Sequence, residues 1–162
     1  MMEEQEWFRC KNWNANVEEL FFSKLQRART QRDQYLVIQA LTLSQGHPDV
    51  ALRLVEHYFS TKKSDFEDLR ALLAKANALI SKDLITEAIK TYKAILSLEK
   101  EKPNQRSRAF VDLPYLVATR QVVDEYPFAL SVLEPRWPGQ IPPPLATPNS
   151  PRQDGRIMTT RV

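Results

Sequence analysis

The sequence predicts an all-α fold of antiparallel helical hairpins, and three observations carry that expectation. Apolar residues recur at spacings of three and four from about residue 16 to residue 134, the period of a single helix face. Only three glycines occur in 162 residues, so the hydrophobic pattern is rarely interrupted. Seven of the eleven prolines fall between Pro135 and Pro151, so the helical composition stops near residue 134. The expected organisation is a polar leader over 1–15, a helical domain over 16–134 and a disordered, Pro-rich tail over 135–162.

The first helical segment carries Phe21, Phe22 and Leu25, with Asn16 and Glu19 as an expected capping box. No Gly or Pro interrupts residues 17–45, so one helix or two are both open. A first hairpin is expected over about 32–60. Tyr35, Leu36, Ile38 and Leu43 form one stripe, and Ala51, Leu54, Val55, Tyr58 and Phe59 form the other. Between them, Gly46 suits a left-handed helix end, His47 is a turn residue and Pro48 suits a first helical turn.

The second hairpin, over about 65–102, has the clearest pattern. Leu69, Leu72, Leu73, Ala76 and Ile80 make its first stripe, with Ser64 and Glu67 as a capping box. After a short Ser81-Lys82-Asp83 link, Ile85, Ala88, Ile89, Tyr92, Ile95 and Leu96 make the second, which Pro103 ends. So short a link forces the two helices antiparallel. A third, incomplete hairpin is expected over about 105–134, with Pro114 kinking or delaying its first helix. Its second helix, from about Phe128 to Glu134, is too short to hold itself by local hydrogen bonding. The apolar side of Phe110, Leu113, Leu116 and Val117 should then be partly uncovered, so self-association through this end is expected.

Composition narrows the function classes. The acidic start, Met-Met-Glu-Glu-Gln-Glu, does not read as a secretory signal, and no apolar run approaches the roughly 18 residues of a membrane span. The single Cys10 has no partner for an internal disulfide, and within a polar leader it is expected to be exposed in a reducing compartment, which points to the cytoplasm. No cofactor, metal site or catalytic constellation is visible: His47 and His57 lack zinc spacing, Glu56 and His57 face different ways on a helix, and Cys10 has no histidine partner. The expectation is therefore a protein that is not an enzyme.

Ala51 and Ala88 lie 37 residues apart and Ala129 a further 41, which reads as a repeat. With a small Ala76 in one helix and Ala88, Tyr92 and Ile95 in the next, residues 32–134 resemble the tetratricopeptide repeat (TPR), whose usual period is 34. The first hairpin fits through Gly46 and Ala51, while Gln39 stands where a small residue is usual. The resemblance implies a short right-handed solenoid whose first helices line a concave groove for a peptide or a partner's helix. On this chain that groove would carry Asp33, Leu36, Ala40, Arg70, Leu73 and Asn77. The Lys and Asn pair with which chaperone-binding relatives of that family hold a terminal carboxylate is replaced by Leu36 and Ala40.

A second reading comes from Lys24, Arg27, Arg29 and Arg32. Cations on neighbouring helical turns make a positive strip that could contact the phosphates of a nucleic acid. A solvated helix face paired with Glu18, Glu19 and Asp33 explains the same residues and is preferred. In the tail, the PxxP patterns ending at Pro138 and Pro151 and the terminal Thr160-Arg161-Val162 are short enough to arise by chance. The sequence thus favours a scaffold that binds a protein or peptide, with nucleic acid second and no membrane.

Overall fold

The computed structural model describes residues 7–135, and all secondary structure among these is helical. Seven α-helices follow in order: α1 (Ala15–Arg27), α2 (Arg32–Leu43), α3 (Pro48–Thr61), α4 (Asp68–Ser81), α5 (Ile85–Glu101), α6 (Ala109–Thr119) and α7 (Tyr126–Leu133). A single 3₁₀ turn, Val123–Glu125, leads into α7. No helix among the described residues is long and apolar enough to cross a membrane. The PxxP patterns, Trp137, Ile141, Leu145 and the terminal Val162 lie outside the described residues.

Residues 17–45 form two helices. Ala28 is extended (φ −80°, ψ 97°), and Arg29-Thr30-Gln31 completes the reversal. Packing supplies the reason where no Gly or Pro does. On one unbroken helix Phe21 and Ala40 would lie ~28 Å apart; both belong to the same buried cluster. The break therefore gains hydrophobic burial at the expense of a few helical hydrogen bonds. The cap of α1 lies two residues before the expected Asn16: Asn14, itself extended, accepts the Val17 N–H at 3.0 Å. A cap of this kind is worth about 1 kcal/mol.

Two other expected helix ends differ. α4 begins at Asp68 without a side-chain cap, and Ser64 only approaches the Phe66 N–H at 3.5 Å. Glu67 is instead buried and paired with Arg70. Gly46 does not take the left-handed conformation, and a Cβ there would meet nothing within 4 Å. The left-handed positions fall on Asp83 (φ 60°) and Gln121 (φ 53°). Each closes its helix with the paired backbone bonds of a Schellman end, Leu84 N–H to Leu79 O at 2.9 Å and Val122 N–H to Val117 O at 3.0 Å.

Two buried clusters make the core. The first joins α1 to α4 through Phe21, Leu25, Leu36, Ala40, Tyr58 and the alanine row Ala71, Ala74, Ala78. The second joins α4 to α7 through Leu69, Ala76, Ala88, Tyr92, Leu113 and Ala129. Small residues on two sides of α4 let it approach both neighbours closely. It packs on α2 and α3 of the first hairpin as well as on its own partner α5. The third hairpin does not repeat this relation, since α6 packs on α5 and α7 and not against α4.

That third hairpin is nevertheless closed. Leu113, Leu116 and Val117 are buried and Phe110 is half-buried, covered within the second cluster by residues of α5 and α7. Of the four residues expected to be partly uncovered, only Phe110 keeps part of its surface exposed. Short α7 suffices as a cover because Ala129 and Val132 face the core, while Lys93 on α5 holds Glu125 at 2.8 Å and lies 4.6 Å from the Phe128 ring centroid. Apolar exposure at this end falls instead on Tyr115, Val123 and Leu130.

Polar contacts fix the corners. Burial of Tyr58, and then the hydrogen bond its hydroxyl donates to Asp68 Oδ1 at 2.8 Å, push its pKa far above the ordinary range. Lys62 bridges Asp65 and Asp68 across the same α3–α4 corner. Along the edge formed by the hairpin turns, Lys82 pairs with Asp49, and Arg120 pairs with Asp83 at 2.7 Å.

Candidate functional site

Helix α4 buries residues on two sides, exposes Lys75 between them and carries a half-buried row opposite Lys75. Ala71, Ala74 and Ala78 belong to the first cluster; Leu69, Ala76 and Leu79 belong to the second. At spacings of three and four on the remaining side stand Arg70, Leu73 and Asn77, each half-buried. Leu73 packs against the edge of the second cluster. Arg70 donates to Glu67 Oε2 at 3.0 Å and keeps 43% of its side chain exposed. The Asn77 carboxamide makes no hydrogen bond among the described residues, so it is open to an external donor and acceptor. A charge, an apolar surface and a free amide thus share one face.

The other half of the expected groove is not a surface. Leu36 and Ala40 are 0% exposed and belong to the first core cluster. Asp33 accepts the Lys63 N–H at 2.9 Å and lies 3.5 Å from Arg32, so it ties α2 to the end of α3. The reason is a register difference between the hairpins. Helices α3 and α5 begin 37 residues apart, at Pro48 and Ile85, but α2 and α4 end 38 apart, at Leu43 and Ser81, because the first turn is one residue longer. In that register the buried Leu36, Ile38 and Ala40 lie over the buried Ala74, Ala76 and Ala78. The α2 residues matching Arg70, Leu73 and Asn77 are then Arg32, Tyr35 and Gln39.

Tyr35 and Gln39 are covered by the chain's own N-terminal segment. Phe8 stacks on Tyr35 with ring centroids 4.4 Å apart, and Trp7 meets the same ring edge-on at 5.0 Å. Two residues on, Gln39 Oε1 accepts the Cys10 N–H at 3.0 Å and Gln39 Nε2 donates to the Cys10 carbonyl at 2.7 Å. Trp13 donates to Glu18 at 2.9 Å. Residues 7–13 are therefore no polar leader, and Cys10 is half-buried with its thiol 3.5 Å from the Trp7 carbonyl. The adjacent aromatics Trp7 and Phe8, and the amide Gln39 at a position otherwise given to small residues, were the available signals in the sequence.

The basic residues do not form one strip. Lys24 and Arg27 end α1, where cations complement the helix dipole, and Arg29 lies in the following reversal. Lys24 approaches the Trp7 ring at 5.9 Å. Arg32 turns to the end of α3, donating to Thr61 Oγ1 at 3.0 Å and to His57 Nε2 at 3.2 Å. Burial and then the Arg32 charge lower the His57 pKa, so this imidazole sits neutral as an acceptor. Among the described residues no group of three or more His, Cys, Asp or Glu side chains is placed to hold a metal.

Comparison with protein-family models, with curated proteins and with solved structures finds no match to this chain.

Proposed function

We propose that the chain is a non-catalytic protein-interaction module, a TPR-like scaffold or adaptor that holds a peptide or a partner's helix on the open face of α4. The observation that carries this reading is the Arg70, Leu73, Asn77 row, half-buried along one side of α4, with Leu73 at the edge of the second cluster and Arg70 and Asn77 in neither. What supports the TPR-like part of the reading is the packing of α4 on both helices of the first hairpin; the third hairpin, with α6 away from α4, does not add to it. A cytoplasmic setting belongs to the same proposal and rests on the lone Cys10. So does self-association through the C-terminal end, now resting on Tyr115, Val123 and Leu130.

Nucleic-acid binding has less support, since α1 ends before Arg29 and Arg32 is engaged by α3. The test is affinity capture from the native cell with the wild-type chain and an Arg70→Glu, Asn77→Ala variant. Partners lost by the variant support the reading, and identical partner sets from both reject it. Capture of nucleic acid that weakens steeply with added salt would favour the basic residues instead.

A further inference from the structure

The N-terminal segment shows how a peptide can sit on a first helix of this molecule. On α2, the Phe8 ring covers Tyr35, and the backbone of Cys10 is held in both directions by the Gln39 carboxamide. One carboxamide thereby reads the backbone N–H and C=O of a single residue without reference to its side chain, while the ring four residues earlier on the helix selects an aromatic. On α4 the matching positions are Leu73 and Asn77. They offer the same pair of functions, an apolar side chain and a terminal amide in the same order, each half-exposed, with Leu73 resting on the edge of the second cluster.

We infer that the open face of α4 binds a short non-helical peptide with an aromatic residue, its ring on Leu73 and a backbone N–H and C=O on the Asn77 carboxamide. The inference rests on the reading of this face as an interaction surface and adds the chemistry of the partner. In the chain's own example the ring comes two residues before the anchored residue, Phe8 before Cys10. The partner motif is therefore an aromatic followed, two positions later, by a residue whose side chain is not read. The shorter Asn77, compared with Gln39, requires the bound backbone to approach α4 by about one methylene more closely, and Leu73 in place of Tyr35 leaves room for it.

The probe is a labelled synthetic peptide of residues 5–12 with Cys10→Ser, titrated into the full chain by fluorescence anisotropy. Saturable binding is expected, weakened about tenfold by Asn77→Ala or Leu73→Lys in the protein. Asn77→Asp, which keeps the shape and the acceptor but loses the donor, should weaken it by a smaller factor. Matching thermal melts show that each variant is folded. No binding, or binding that Asn77→Ala leaves unchanged, overturns the inference. A peptide with Trp7→Ala and Phe8→Ala that binds equally well through Asn77 overturns the aromatic requirement while leaving the face as an interaction surface. Loss of native-cell partners from the Arg70→Glu, Asn77→Ala variant without any peptide binding likewise defeats this inference alone.

Discussion

The Gln39 side chain and the Cys10 backbone close a two-way hydrogen-bonded pair, at 3.0 and 2.7 Å, across 29 residues of sequence. Gln39 is fully buried, so nothing but this segment satisfies its amide. Gln39→Ala should destabilise the chain by about 1–3 kcal/mol, because it removes both hydrogen bonds between the carboxamide and the Cys10 backbone and leaves a cavity in their place. It should also loosen Trp7 from Tyr35. Urea unfolding and a red shift of tryptophan emission in the native baseline test both effects; an unshifted emission would mean that the aromatic contacts hold the segment alone.

Ala88 is 0% exposed within the second cluster, where α5 faces α4. Ala88→Arg must either expel the new side chain by moving α5 or bury an unpaired charge. We expect a loss of about 3–5 kcal/mol, seen as a lowered thermal midpoint or an unfolded second hairpin by circular dichroism. Ala94→Arg, an exposed position on the same helix, should melt like wild type.

His57 should make stability depend on pH near neutrality. Its folded pKa lies below its ordinary value, so the unfolded chain binds the proton more readily. The stabilisation is complete above about pH 6.5 and is lost as pH falls towards the lower folded pKa. Glu18 has the same sign further down the scale. Its hydrogen bonds to Arg53 and Trp13 lower its pKa, and its contribution fades below the ordinary carboxylate range. Chemical denaturation at pH 7, 6 and 5 should therefore show a decline that His57→Gln flattens, since glutamine accepts from Arg32 without titrating. An equal decline in the variant would assign the effect elsewhere.

Leu130 is 51% exposed on α7, beside Phe128. If the C-terminal end self-associates, Leu130→Glu should return the chain to a monomer without lowering its thermal midpoint, because the position lies outside the core. Light scattering over a concentration series measures this. A wild-type chain that stays monomeric throughout would reject self-association.

Much of the fold was legible because the hydrophobic period is strong. The stripes at Leu69 to Ile80 and Ile85 to Leu96, the short link between them and Pro103 define the second hairpin closely. The α1–α2 break was not legible, since Ala28 carries no breaker chemistry and the reversal is imposed by tertiary packing of Phe21 against distant residues. The candidate site was half legible. Arg70, Leu73 and Asn77 stand together, but Leu36 and Ala40 were misplaced by a one-residue difference in turn length, and one residue turns a helix by about 100°. The role of residues 7–13 was hidden because a composition of mixed charge conceals Trp7, Phe8 and Trp13, which bury area out of proportion to their number.

The pairs Asp49 with Lys82 and Asp83 with Arg120 give the molecule a spine along one edge, and that spine is soft. Asp49 and Asp83 expose 78% and 75% of their side chains, so each link is screened by ordinary salt and contributes little energy of its own. The α4 and α5 sides of the same hairpins are held by dense apolar contact that salt does not weaken. The interior contacts thus carry the stacking, and the turn-edge pairs add little to it. Raising ionic strength should therefore loosen the turn edge locally while the stacking of the hairpins and the melting temperature stay as they are.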